Sequence, residues 1–96
     1  MTANIEKKTK QPHEVLDFDF EAMRRMDDDD VITDASASVT GDDAALLLEA
    51  VTWTDTRVKV WLAAGNDLKN YKITVLITTF GGRVFEGEFV LFVKER

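Results

Sequence analysis

The stretch YKITVLITTFGGRVFEGEFVLFVKER, residues 71–96, restricts the fold more than any other. On its first half Tyr71, Ile73, Val75 and Ile77 fall on one face, and Lys72, Thr74, Leu76, Thr78 and Phe80 on the other. On its second half Phe85, Phe89, Leu91 and Val93 share a face, while Val84, Val90 and Phe92 share the opposite one with Glu86, Glu88 and Lys94. A period of two is the signature of a strand. Gly81 and Gly82 predict a tight hairpin between the halves, because glycine reaches positive φ at little cost. Gly87 interrupts the return strand and predicts a bulge. Both faces of this hairpin carry large apolar side chains, so both need cover.

The rest of the chain reads the same way. RVKVWLA sends Val58, Val60 and Leu62 to one side and Arg57, Lys59 and Trp61 to the other, a half-buried antiparallel strand. VITDASASV predicts another, and ALLLEAVTWT is strand from about Leu48 onward. VLDFDF alternates apolar and acidic residues as a short edge strand does, and EAMRRM has room for one helical turn. Six or seven short strands with regular turns predict an all-β, antiparallel sandwich of the immunoglobulin-like kind. Tyr71 opens its strand three residues after Leu68. In such sandwiches a tyrosine at this corner returns its hydroxyl to backbone a few residues upstream.

A chain of 96 residues makes one domain with one modest core. The expected division is a flexible N-terminal arm over residues 1–13 and the sandwich over residues 14–96. The arm carries Lys7, Lys8 and Lys10 against Glu6, a charge of +2, so the remainder carries −8 of the net −6. That balance argues against a duplex nucleic-acid binder, which needs a basic footprint. There is no cysteine, hence no disulfide and no thiolate metal site, which fits a reducing cytoplasm. No apolar run is long enough to span a bilayer, and the opening residues have no signal-peptide core.

Chemistry is sparse. HEVLD at residues 13–17 has half of a zinc-protease motif, but His13 is the sole histidine. The run DDDD at residues 27–30 reads as a solvated acidic loop, since four like charges do not fit a core, and it has neither the glycine nor the closing glutamate of a calcium loop. FGGR is followed by no Lys-Ser/Thr ending and no helix, so it is no phosphate loop. Ser36 and Ser38 have no base, and Glu86 and Glu88 are i, i+2 neighbours that read as solvated charges. No catalytic residue, cofactor or metal is expected.

The order EVLDFDFEAM, the acidic loop, ITDASASV, then VKVWLAAGNDLKNYKITVLITTFGGRVFEGEFVLFV resembles a family of short proteins from tailed-phage and prophage structural modules, of the fibre–tail adaptor type. Trp61 and Leu62 match the family's WL position, and Tyr71, Thr78, Thr79, Gly82, Arg83 and Glu86 match its closing pattern. AAGN replaces the usual small-glycine pair, and EAMRRM stands where a tryptophan is usual. The resemblance implies an immunoglobulin-like virion protein, assembled in the host cytoplasm, whose partners are other virion proteins or a ring of its own copies.

Three function classes follow. The first is a non-enzymatic structural adaptor of a tail, fibre or head–tail joint, with Leu76, Phe80, Val90 and Phe92 as its candidate protein interface and Tyr71, Trp61, Gly81 and Gly82 as structural positions. The second is a binding module for a cell-surface glycan or protein, resting on Trp53 and Trp61, although a sandwich normally takes a tryptophan into its core. The third is a small enzyme, with only Glu86 and Glu88 to support it. The second hairpin face is either an interface or is covered by the N-terminal segment.

Overall fold

The structure is a computed structural model, and it describes residues 6–95. Its strands are β1 Glu6–Lys10, β2 Leu16–Glu21, β3 Ile32–Gly41, β4 Leu46–Trp53, β5 Arg57–Ala64, β6 Lys69–Thr79 and β7 Val84–Val93. They form two sheets, β1-β7-β6-β3 and β2-β5-β4. The expected all-β sandwich is found. EAMRRM supplies one 3-10 turn, Met23–Arg25.

Alternation decides which side chains go inside. Across β6 and β7, Tyr71 stands opposite Leu91, Ile73 opposite Phe89 and Ile77 opposite Phe85. From the facing sheet Phe18, Val58, Val60 and Leu62 come down on them, and Tyr71, Phe89, Leu62 and Ile73 are among the largest fully buried side chains. The Phe18 and Phe89 rings meet at 5.8 Å between centroids, tilted by 40°. No tryptophan enters this core. Trp61 lies on the outer side of β5 because Val60 and Leu62 on either side of it point in, and Trp53 is 40% exposed at the end of β4.

Two local expectations are corrected. Gly87 makes no bulge: the β6–β7 register runs unbroken through the Val75–Gly87 pair. The glycine is needed because Phe20 crosses from the other sheet, and a Cβ at residue 87 would stand 2.0 Å from its ring. The bulges lie instead between Ile32 and Asp34 in β3 and between Leu48 and Ala50 in β4. The Gly-Gly turn is also wider than a two-residue hairpin. β6 ends at Thr79 and β7 starts at Val84, and the loop closes through Thr79 N–H to the Arg83 carbonyl at 2.9 Å. Within this loop only Gly82 has positive φ, at 89°.

The arm expected to be loose through His13 is a strand over Glu6–Lys10, parallel to β7, with Lys7 beside Val90 and Thr9 beside Phe92. Residues 1–5 of that arm lie outside the described residues. The edge of β7 offers backbone partners, and Lys10 anchors the strand. Its ammonium is buried and donates to the carbonyls of Ala64 at 2.5 Å and Gln11 at 2.7 Å. Burial holds its pKa below the ordinary lysine value, with Glu14 acting in the opposite direction. The Lys8 ammonium sits 5.9 Å from the centroids of both Phe18 and Phe89, so β1 closes this side of the sandwich. It does not cover the outer face of the hairpin.

Gly87→Ala is expected to push Phe20 out of its seat and destabilise the fold by about 1–3 kcal/mol, the usual cost of overpacking. Gly87→Ala combined with Phe20→Leu is expected to recover part of that loss. Urea midpoints of the two variants check this, and an unchanged midpoint in Gly87→Ala contradicts the packing described.

Candidate interaction surface at the hairpin end

The end of the sandwich that carries the β6–β7 loop is built by side chains of the acidic loop. Asp30 was expected in solvent with its neighbours, yet it is buried. Its Oδ1 accepts the N–H of Gly81 at 2.8 Å and of Val31 at 2.9 Å. Phe80 N–H donates to the Val31 carbonyl at 2.8 Å. Arg83 reaches both oxygens of Asp27, at 3.0 and 3.1 Å. The loop is therefore stapled to the hairpin, and backbone N–H groups replace the water a buried carboxylate would lose.

Asp30 Oδ2 has no hydrogen bond of good geometry among the described residues. The Thr79 hydroxyl, which accepts Arg83 N–H at 3.2 Å, still has its proton to direct at this carboxylate. That hydroxyl, with the Gly81 and Val31 N–H groups and the Arg83 charge, holds the Asp30 carboxyl below the ordinary aspartate range, while burial acts the other way. Behind the loop, Arg25 donates to the Glu86 carbonyl and lies 4.5 Å from the Phe85 ring centroid.

On this scaffold Phe80 is 80% exposed, Val84 61% and Met23 60%. Leu76, at 43%, lies opposite Glu86 on the same outer face, and Val84 is opposite Thr78. Leu76, Val84 and Phe80 thus share one end of the hairpin's outer side. Val90 and Phe92 do not join them. They are half-buried beside β1, and the polar pair Thr74 and Glu88 stands between them and the level of Leu76. Between the two groups Lys72 and Glu88 pair at 3.3 Å across the sheet. The second face is two small apolar patches with an ion pair between them. Val84 and Met23 are exposed apolar side chains not named among the candidate interface residues. Val84 was legible, since it shares the Val90 face by alternation; Met23 was not, because its exposure depends on where the 3-10 turn docks.

The opposite end holds Tyr71. Its buried ring carries a hydroxyl that accepts Asn66 N–H at 3.0 Å and donates to Asp43 Oδ1 at 2.6 Å. Asp43 also takes Ala45 N–H at 2.9 Å and Asn66 Nδ2 at 3.0 Å. The Tyr71 hydroxyl is the largest cause holding the Asp43 carboxyl below its ordinary range, and burial raises the Tyr71 pKa. Leu68, 61% exposed with φ of 62°, takes the left-handed turn that sets this corner.

Other candidates stay apart. Glu86 and Glu88 line the outer face, where Glu88 is held by Lys72. Trp53 pairs with Val58 and Trp61 with Ala50, so alternation sends the two indoles to opposite faces of the small sheet. Outside that sheet Arg57 pairs with Glu21 at 2.9 Å and Lys59 with Asp17 at 3.1 Å, exposed ion pairs of little energetic weight.

The residues that make the hairpin end, Thr79, Gly82 and Arg83, lie in the closing stretch of the chain, and a family model covers it. The model described as podophage GP4 fiber-tail adaptor protein gp77 matches residues 10–92. The chain belongs to this family. No curated protein sequence matches it. The gp77 family match starts at Lys10, the anchor of β1, and ends at Phe92, one residue before β7 does.

Tyr71→Phe is expected to destabilise the fold by about 1–2 kcal/mol, since it leaves Asn66 N–H and Asp43 without their shared partner. An unchanged urea midpoint would contradict this. A second expectation concerns acid. Asp17, Asp30 and Asp43 all have folded pKa values lowered from the ordinary one, so they stabilise the fold above the unfolded aspartate pKa of about 3.9, and that stabilisation is lost as pH falls through the folded values. Stability therefore declines below about pH 4. In Asp30→Asn it starts lower at neutral pH and declines less steeply in acid. Urea midpoints measured from pH 7 to pH 2 test this, and parallel curves for the two proteins contradict it.

Proposed function

We propose that this chain is a non-enzymatic structural subunit of a virion that links tail and fibre through protein–protein contacts. The family match over residues 10–92 carries the reading. The contact surface is the hairpin end, with Phe80 as its most exposed apolar side chain and Leu76 and Val84 on the same outer side; Val90 and Phe92 form a second, smaller contact. A rigid, stapled end that presents an aromatic ring fits docking better than catalysis, because an anchor held in place loses little freedom on binding.

The sandwich is read as immunoglobulin-like. The orders β2-β5-β4 and β7-β6-β3 correspond to strands B-E-D and G-F-C of such domains, and Tyr71 stands at the corner between the fifth and sixth strands with its hydroxyl on backbone five residues upstream. Copies of the subunit stand around the tail axis, and assembly takes place in the host cytoplasm, where a cysteine-free chain is indifferent to reducing conditions. A glycan platform made of both tryptophans is not favoured, since Trp53 and Trp61 occupy opposite faces of their sheet.

Phe80→Ser is expected to leave the thermal midpoint nearly unchanged and to lower incorporation into particles by roughly tenfold or more, as loss of a central anchor does. Immunoblots of purified particles, alongside melting curves, make the comparison. Full incorporation of a folded Phe80→Ser protein would overturn the proposed surface.

A further inference from the structure

The two long sides of the sandwich are closed differently. On the side of β1 and β2, Lys8 covers the Phe18 and Phe89 rings and Lys10 is buried against the Ala64 carbonyl. The edge strands there are charged, EKKTK and LDFDFE. On the other side the edges are β3 and β4. Between them an apolar strip reaches solvent: Ala37, Val39 and Val51 are only partly buried against the core, Leu48 is 37% exposed and Trp53 40%.

β3 itself is an unprotected edge. Beyond the irregularity at Ile32 and Asp34 its register with β6 is continuous from Asp34 to Gly41. Its free edge pairs with no other strand among the described residues. Natural edges are usually blunted by lysine, proline, a bulge or a cover. The stretch ASASVT has none of these, and its small outward residues Ser36 and Ser38 let another backbone approach.

We propose that β3 pairs with β3 of a second copy of this chain, antiparallel about a two-fold axis, so that the larger sheets of the two copies become one. Self-pairing is what identifies the occupant. In a two-fold antiparallel pair each residue meets a residue of the same strand, so charges near the axis meet like charges. β1 and β2 are excluded by their lysines and their acids, and β4 is interrupted by the bulge beside its Glu49. With the axis at Ala37, Ser36 faces Ser38, Ala35 faces Val39, and Asp34 faces Thr40, with no like-charge pair. The neutral strip of Ala37, Val39 and Trp53 is then covered by its own counterpart, whereas a charged partner would lose solvation there without compensation. The pairing is a property of the isolated chain and does not rest on the tail reading.

The test is the mass of the intact chain in solution, by sedimentation or light scattering, from micromolar to sub-millimolar concentration. The expected result is a concentration-dependent dimer that the double variant Ser36→Lys/Ser38→Lys converts to monomer while circular dichroism stays that of a β protein. A wild-type chain that stays monomeric throughout overturns the proposal, and so does a dimer that survives in the folded lysine variant. Should that variant fail to fold, Ala37→Cys decides. The chain has no other cysteine, and residues facing each other at the axis are close enough for a disulfide. Oxidation is expected to give a covalent dimer, and a dimeric sample that forms none overturns the pairing.

Discussion

The register between β6 and β7 is the constraint on which the rest of the molecule depends. It sets Tyr71 against Leu91 and Ile73 against Phe89, and so lines one face of the larger sheet with the side chains that fill the core. A slip of β7 by one residue would turn Glu88 and Val90 inward and expose Phe89, Leu91 and Val93. That register is held from both ends. At one end the Asp30 carboxylate binds Gly81 N–H and Arg83 holds Asp27, so the loop cannot shift without breaking charge-assisted hydrogen bonds. At the other the Tyr71 hydroxyl is shared between Asn66 and Asp43. Gly87 then leaves the room that Phe20 needs to cross from the second sheet.

This arrangement gives the polar residues of the closing stretch a structural account. Thr79 caps Arg83 N–H, Gly82 supplies the positive φ of the turn, and Arg83 reaches the acidic loop. These residues tie the hairpin loop to the acidic loop at one end of the sandwich. What that end presents outward is apolar: the aromatic ring of Phe80 and the side chain of Val84. The pairing proposed at the open edge of β3 would be a second kind of contact, made by backbone rather than by side chains.

The acidic loop shows how charge acts differently by position in one short run. Asp27 forms an exposed ion pair, Asp28 and Asp29 are exposed, and Asp30 is buried as a cap. Only the last has its solvation replaced by backbone donors. N-terminal lysines divide in the same way: Lys10 is enclosed by carbonyls, whereas Lys7 is exposed.

Period-two alternation is a local property of the chain, and it was enough to place Val58, Val60, Leu62, Tyr71, Ile73, Val75, Ile77, Phe89, Leu91 and Val93 inside and Leu76, Phe80, Val84, Val90 and Phe92 on the other face. The sandwich class followed from the same pattern and the spacing of turns. What the sequence could not contain was distance between elements. The burial of Asp30 depends on a loop and a hairpin meeting across fifty residues of chain, and Gly87 answers to a phenylalanine in the opposite sheet. Whether Leu76, Phe80, Val90 and Phe92 make one surface depends on where Lys72 and Glu88 sit between strands, and Glu6–Lys10 of the N-terminal arm is a strand because β7 had an edge to offer. Side-chain direction is decided residue by residue by covalent geometry, but neighbours in space are decided only when the sheets pack, so the faces were legible in the sequence and the contacts across them came from tertiary structure.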